Sequence, residues 1–396
     1  MNLSPSKMTA IAVLTGAALV AAACSSSGSG GGGGGGGGAI VIGVPVPVSG
    51  DYASAGTDIL HGAQLAAKKI NKSGGVNGQK IQIVSQDDAC SAQTASQAAE
   101  KLISQNIVAA AGGYCSTAAA PELETFHRQS IPYVMDASTN PQLTEEGFPE
   151  AFRTIGRDDE QGPFVAKFIT GYLHDKRVAV GNDNSTYSKG LADSTVAALK
   201  ADGTQVVFNS ALTAGQSDYS SYLTKVGQSN PDVFYYTGYF SEFGLLLKQA
   251  KQQGLNFTMM GGDANNDPTL IKTAGPAANG VLIDTAPLAQ FLTSAKGYVQ
   301  AYQSTYHTGP GPYSSYEYDA VGVLAQAIKN AGSTDASKVE HALHAIKTYH
   351  GITGDFHFDS KGDRKPVNYI IITVKNGQFV ADKKLNTATG QWESVG

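Results

Sequence analysis

From Ile40 onward, apolar and polar positions alternate between two periods. Short β-branched runs bounded by Gly, Asn or Asp read as buried strands, and longer stretches with an apolar residue every third or fourth position read as helices. Residues 40–44, 81–84, 107–112 and 131–135 predict strands. Residues 56–71, 91–104 and 118–128 predict the helices between them, the second opened by Ser91 as a cap. After Gly156 the alternation restarts, with helices expected over 161–174, 190–201, 219–228 and 242–252 and strands at 177–180, 206–208, 233–236 and 257–260. Residues 281–283 begin a returning segment with helices over 295–306, 315–331 and 337–347, and 369–374 is strand-like. Strands that are apolar on both faces and alternate with helices imply parallel sheets covered on each side. Two such runs imply two doubly wound α/β lobes.

The first residues change the picture of where this fold works. Lys7 is followed by an uncharged apolar run over 8–23 and then Cys24. This reads as a secretory signal peptide, too short and alanine-rich for a membrane helix, which needs about 20 apolar residues. Ala21-Ala22-Ala23 ahead of Cys24 is similar to a bacterial lipoprotein signal, in which the cysteine sulfur receives a diacylglycerol, although Ala21 stands where leucine is commoner. Residues 25–38 are only Ser and Gly, with nine consecutive glycines from Gly30, a composition that predicts a flexible tether between membrane and domain. No Gly-Lys-Ser/Thr follows it, so it is not a phosphate loop. The rest of the chain is longer than one core usually holds.

A net charge of −5 with no basic cluster argues against nucleic acid as a partner. With Cys24 lipidated, Cys90 and Cys115 remain, and an even pair in an oxidising compartment favours a disulfide. Closing that loop is worth roughly 3 kcal/mol. A nucleophilic role lacks a base beyond His61 or His127, and a zinc site lacks further ligands nearby.

Ligands of open parallel sheets collect beyond the carboxyl ends of the strands, where helix N-termini favour anions. At such ends Ser116-Thr117 follows one strand and Asp136-Ala137-Ser138-Thr139 the next, so Ser116 and Thr139 either meet a ligand or cap helices. The second run offers residues 182–187, 234–239 and 260–263, in which tyrosines and Asp263 suit a small ligand with an amino group and an apolar side chain; the alternative for Asp263 is a helix cap. Residues 263–267 fail as a calcium loop, because Pro268 and Ala274 occupy the required Gly and Glu positions. His341 and His344 lie three apart on a helix whose core face is Ala342, Leu343 and Ile346, which reads as solvated surface. No Gly-x-Ser-x-Gly elbow and no coherent Ser/His/Asp set argue for an enzyme. Neither a cofactor nor a metal is expected.

Six stretches carry a resemblance: "INKSGGVNGQKIQIVSQDDAC", "YCSTAAAPELETF", "ASTNPQLTEEGF", "FRTIGRDDEQGP", "DVFYYTGY" and "GDFHFDSKGD". Over nearly all of 39–396 the chain resembles the bacterial periplasmic leucine/isoleucine/valine-binding proteins, substrate receptors of branched-chain amino acid ABC importers. The resemblance implies a type I periplasmic-binding-protein fold, two Rossmann-like lobes joined by three hinge crossovers near 156–158, 285–287 and 361–364. The domain layout expected is a signal peptide (1–23), lipidated Cys24 and linker (24–38), an N-terminal lobe (39–157 plus 287–362) and a C-terminal lobe (158–286 plus 363–396). It also implies the Cys90–Cys115 pairing. By the same resemblance Ser116 and Thr139, with Ser138 beside them, hold an α-carboxylate. The Ala137 carbonyl and Asp263 hold the α-ammonium, and Tyr187, Tyr239 and Tyr313 border the ligand. Two departures stand out. Asp263 is one methylene shorter than the family's usual Glu, which implies a water-mediated contact or closer lobes. Ala55 stands where an aromatic wall is common, with Tyr52 displaced, which implies a larger side-chain pocket. The implied protein is a monomeric, extracytoplasmic lipoprotein, anchored to the bacterial cell membrane, that captures an α-amino acid and delivers it to an ABC permease. The alternative is a receptor lobe sensing another small amide or amino-acid-like solute.

Overall fold

The computed structural model describes residues 38–395. The expected signal peptide, Cys24 and the tether up to residue 37 lie outside the described residues. Among those described, no helix is long and apolar enough to cross a membrane.

Two sheets share one strand order. In the first lobe β1 (Ile40–Pro45), β2 (Ile81–Gln86), β3 (Ala109–Gly112), β4 (Tyr133–Met135) and β5 (Ala151–Arg153) run parallel in the order β2-β1-β3-β4-β5. They are linked by α1 (Ala53–Lys72), α2 (Ala92–Ser104), α3 (Ser116–His127) and the single turn α4 (Gln142–Glu145). In the second lobe β6 (Arg177–Asn182), β7 (Gln205–Ala211), β8 (Val233–Tyr236), β9 (Thr258–Gly261) and β10 (Leu282–Thr285) run parallel as β7-β6-β8-β9-β10. Helices α5 (Asp158–Phe168), α6 (Thr186–Ala201), α7 (Ser220–Gln228), α8 (Phe240–Gln252) and α9 (Pro268–Ala274) belong to it. The chain then returns, and α10 (Lys296–Tyr306) and α11 (Ser314–Ala331) pack on α1, followed by α12 (Ala336–His344) against α11. A three-stranded sheet of β11 (Tyr349–Gly351), β12 (Gly354–Phe358) and β13 (Arg364–Lys365) follows. Finally β14 (Ile370–Lys375), β15 (Gln378–Leu385) and β16 (Trp392–Ser394) extend the second sheet antiparallel from β10.

The strands are buried because both faces are covered: Ile40, Ile42 and Val44 of β1 and all of β3 and β8 are out of solvent. The α1–α11 crossing is tight, since a Cβ at Gly62 would stand 2.1 Å from the Ser314 carbonyl oxygen. Only glycine permits that approach.

Several elements differ from the hydrophobic pattern, each for a local reason. Helix α6 starts four residues before the expected position, because its first turn is polar and is held by Ser185, whose hydroxyl accepts from Ser188 N at 3.2 Å. Helix α5 starts at Asp158 and ends at Phe168; residues 169–173 form a π turn closed by His174 in the left-handed region (φ 61°). Ser91 sits at the N-cap of α2, but its side chain makes no cap hydrogen bond. The short β5, the small three-stranded sheet and the half-exposed β15 and β16 carry too few apolar positions for periodicity to register.

Three passages join the lobes, at 154–157, 286–288 and 366–369. Ahead of the third, Arg364 and Lys365 pair with β12 of the small sheet and Arg153 N donates to Gly362 O. Arg153, wholly buried at the end of β5, meets Asp363 with Nε 2.6 Å from Oδ1. Its guanidinium donates to the carbonyls of Ser138 (3.1 Å) and Asn140 (3.2 Å) and to the Thr144 hydroxyl (2.8 Å). Asp363 also takes Arg157 at 2.7 Å. A buried pair is costly to leave half-made. Arg153→Met is therefore expected to lower unfolding free energy by about 3–5 kcal/mol in urea titrations, and Arg153→Met with Asp363→Leu to recover at least half of that loss; equal costs for the single and double variants would contradict the assignment.

Candidate ligand-binding cleft

Strand order reverses between β1 and β3 in one lobe and between β6 and β8 in the other, and the carboxyl ends of both sheets meet there. Polar contacts cross between the lobes. Asn140 Nδ2 donates to Thr186 O (2.8 Å), Thr186 N to Thr117 Oγ1 (3.2 Å), Ser54 Oγ to Asp267 Oδ2 (3.0 Å) and Tyr313 Oη to Asp263 Oδ2 (3.0 Å). The cleft is closed.

The first lobe supplies two turns. After β3, Gly113 takes φ +94°, and a Cβ there would stand 2.2 Å from Tyr133 Oη, so only glycine lets the chain turn against this ring. Cys115 is tied to Cys90 with Cα atoms 5.4 Å apart, fixing the entrance of α3. Ser116 does not cap its helix; its buried hydroxyl accepts from Asn140 N at 3.3 Å, joining this turn to the one after β4. In that second turn Ser138 Oγ donates to Gly113 O at 2.7 Å, so its hydroxyl is engaged within the lobe, while Arg153 holds its carbonyl. The Thr139 carbonyl accepts from Asp158 N at 3.0 Å, and the Thr139 hydroxyl is buried without a hydrogen-bond partner. Ala137 of the same turn is buried.

The second lobe supplies Asp263, two residues beyond the end of β9. Its carboxylate is not a helix cap; Asp267 does that work for α9, accepting from Thr269 N at 2.7 Å. Instead Asp263 Oδ1 accepts from Gln161 Nε2 (2.9 Å) and Tyr187 Oη (2.7 Å), and Oδ2 accepts from Tyr313 Oη (3.0 Å). The same Gln161 amide donates to Asp284 Oδ2 at 2.5 Å, and Tyr235 Oη donates to Asp284 Oδ1 at 3.0 Å. Asp158, at the start of α5, is buried alongside.

These three carboxyls dominate the electrostatics. Among the described residues none of them forms an ion pair with Lys or Arg. Burial pushes Asp263 above the ordinary carboxylate range, although its three hydrogen-bond donors pull it back. Asp284 is pushed up to about 8 by burial and by the Asp263 charge. Burial raises Asp158 well above its usual range, against the pull of the Arg153 charge.

Aromatic rings close the space. Tyr239 lies 4.7 Å from Tyr52, 5.7 Å from Tyr114 and 5.3 Å from Tyr187, centroid to centroid, and Tyr114 lies 5.6 Å from Tyr313. The buried Tyr239 hydroxyl has no hydrogen-bond partner. The wall expected to be missing at Ala55 is therefore present, because Tyr52, three residues earlier, turns its ring onto Tyr239 and Phe240. The structure thus brings together Ser116, Ala137, Thr139, Tyr187, Tyr239, Asp263 and Tyr313. Sequence reasoning missed Tyr52, Tyr114, Asp158, Gln161 and Asp284. Tyr114 stands at a strand end, and Asp284 is a charge inside the apolar run of β10, so both left a signal.

A family profile described as periplasmic binding protein matches residues 39–378. The chain belongs to the periplasmic binding protein family. Relatives of this binding protein include the amino acid binding protein of Pseudomonas aeruginosa, 36% identical over 336 residues, covering 84% of this chain and 89% of that one. The Leu/Ile/Val-binding protein homolog 1 of Brucella melitensis is 33% identical over 346 residues, covering 87% and 92%. Among solved structures, a leucine binding protein from Thermotoga maritima superposes with TM-score 0.83 at 28% identity, covering 88% of this chain and 99% of that one. A branched-chain amino acid transporter substrate binding protein from Streptococcus pneumoniae, in complex with isoleucine, gives 0.81 at 27% identity, covering 87% and 98%. The two-lobed type I architecture and the Cys90–Cys115 bridge agree with the expectation from sequence.

The raised Asp284 carboxyl makes stability fall as pH rises. Its folded-state value near 8 lies above the ordinary 3.8, so the protonated form is favoured by folding; that stability is full below about pH 4 and is lost as pH climbs through 8. Asp284→Asn mimics the protonated group. Unfolding free energy measured from pH 5 to 8.5 is expected to fall less steeply in the variant, by up to about 1.4 kcal/mol per pH unit, and parallel curves for the two proteins would refute this.

Proposed function

We propose that this binding protein is the extracytoplasmic receptor of an ABC importer. It captures a branched-chain α-amino acid between its lobes and delivers it to a membrane permease, working as a monomer anchored through lipid on Cys24. One observation carries the reading: a cleft with a cluster of buried carboxyls, no paired cation among the described residues, and two hydroxyl-bearing turns opposite them. A zwitterion fits that polarity. Its ammonium meets Asp263, which has about four lone-pair sites and three donors already, and the Ala137 carbonyl. Its carboxylate meets the Ser116 and Thr139 hydroxyls at the mouth of α3, where the helix end favours an anion. Ser138 shapes the turn through Gly113 rather than reaching the ligand with its hydroxyl. Tyr52, Tyr114, Tyr187, Tyr239 and Tyr313 enclose an apolar side chain. The shorter Asp263 is compatible with the closeness of the lobes, since Tyr313 of the first lobe reaches it directly.

The names of the relatives support this choice, as they include leucine-, isoleucine- and valine-binding proteins and a structure holding isoleucine. Calorimetric titration tests it with leucine, isoleucine, valine and phenylalanine and with N-acetyl-leucine. Free leucine, isoleucine or valine is expected to bind, N-acetylation to abolish binding, and Asp263→Asn to weaken binding about 100-fold, the worth of a charge-assisted contact. Equal affinity for leucine and N-acetyl-leucine would rule out the ammonium contact.

A further inference from the structure

Helices α1, α10 and α11 form one outer face of the first lobe. Their carboxylates are all withdrawn from it: Asp58, Glu317 and Asp319 are buried. Their lysines all stand out in solvent: Lys68, Lys69, Lys72, Lys296 and Lys329. Among the described residues none of the five makes an ion pair, unlike Lys189, Lys361, Lys365 and Lys384 elsewhere. Helix-dipole compensation accounts for Lys69, Lys72 and Lys329, which sit in last turns, but not for Lys68 or Lys296.

Between these lysines lie two adjoining grooves that share Lys69 and Tyr318. One, of about 320 Å³, runs between α1 and α11 past Ile70, Val76, Ala325 and Lys329. The other, of about 400 Å³, runs between α1 and α10 past Leu65, Lys68, Lys72, Tyr298 and Ile352. Neither groove is lined by a carboxylate. The Lys69 ammonium lies 5.6 Å over the Tyr318 ring.

The direction of the chain adds a second observation. Helices α1 and α11 both begin at the cleft, after Tyr52 and Tyr313, so their lysine-bearing ends are remote from it; α1 alone spans about 30 Å. The N-terminal segment enters at that same remote end. Gly38 O accepts from Gln79 Nε2 at 2.7 Å, and Val76, which lines the first groove, bridges Gln79. The sequence places fourteen residues, Cys24 to Gly37, ahead of Gly38.

We infer that this face docks on the anionic lipid surface of the membrane to which the tether leads: the lysines take phosphate headgroups, and the apolar grooves between them take the glycerol region. The identification of the membrane as occupant rests on the reading of Cys24 as the anchored residue. Charge complementarity with anionic lipid and the point of entry of the tether carry the rest.

The test uses the full chain with Cys24→Ala, so that no acyl anchor contributes, and reads sedimentation with phosphatidylcholine vesicles with and without about 30% phosphatidylglycerol. Wild-type surface lysines are expected to give binding to the anionic vesicles alone, released by 0.5 M salt. The quadruple change Lys68→Gln, Lys69→Gln, Lys72→Gln and Lys329→Gln is expected to lower partition at least 100-fold, and the corresponding Arg changes to retain it. Lys225→Gln with Lys251→Gln on the second lobe should leave partition unchanged. Equal partition of wild-type and quadruple-Gln chains, or equal binding to both vesicle types, overturns the proposal. So does saturable calorimetric binding of soluble glycerol phosphate without vesicle binding, which would make the face a site for a small anion. Leucine titration of the same samples reports on the cleft independently, so a chain that binds leucine but not vesicles refutes the docking face and leaves the transport reading standing.

Discussion

Three carboxyls buried side by side, with no ion-paired lysine or arginine among the described residues, are what the closed structure has to accommodate. Charge removed from water is costly unless it is hydrogen-bonded or neutralised. The protein meets this unevenly. Asp284, with two donors and the Asp263 charge nearby, holds its proton through neutral pH, whereas Asp263 gathers Gln161, Tyr187 and Tyr313. The single Gln161 amide bridges the two, so the protonation of one bears on the charge of the other. One of the three donors on Asp263 comes from the opposite lobe, which means that domain closure and solvation of this carboxylate are the same event. On the proposed function, an ammonium entering the cleft would supply the missing positive charge and so favour the closed arrangement over an open one.

The opposite wall of the cleft depends on a different buried charge. Arg153 has no direct path to the ligand, yet it fixes two carbonyls of the turn after β4 and is itself held by Asp363, from the segment leading to the third passage. Ser138, Ser116 and Asn140 then tie that turn to the one after β3. The carbonyls of the turn are thus drawn outward to the guanidinium. The disulfide fixes the other end of the same unit. Hinge and ligand-facing turn are consequently one construction, which is why the motif containing Arg153, Asp158 and Gln161 is legible as a block in the sequence.

The parts of the fold that could be read from the chain are those where burial on both faces leaves a continuous apolar run, as in β1, β3, β6 and β8, or a clean helical stripe, as in α2, α8 and α11. Where a helix begins in a polar turn (α6) or a strand is three residues long (β5), no period exists to be read. At the site, strand-end position and residue type singled out Ser116, Thr139 and Asp263 but left helix capping as the alternative for each, and only the folded geometry shows that Ser116 and Asp263 are not caps. Tyr52 could not be assigned in the same way. Its ring reaches Tyr239 only through the geometry of the closed lobes, and a tyrosine in a turn has no periodic signature. The lysine face was invisible for a related reason: no run of basic residues exists, and folding assembles one from α1, α10 and α11.

That last arrangement gives the first lobe a polarity. Helices α1 and α11 carry their acids inward, Asp58 and Glu317 near the cleft end, and their lysines outward at the far end, so acid and base are segregated along some 30 Å of helix. The intervening core is apolar and screens little, while the exposed end is screened within a Debye length of about 8 Å at physiological salt. Attraction to an anionic surface therefore acts on the lysine end and scarcely on the cleft carboxyls. A lobe resting on that end keeps its cleft turned from the membrane and free to open, which suits capture. Presentation of the cleft to a membrane partner requires the lobe to leave that surface, and contacts that hold by several weak, salt-sensitive charges are the kind that permit such release.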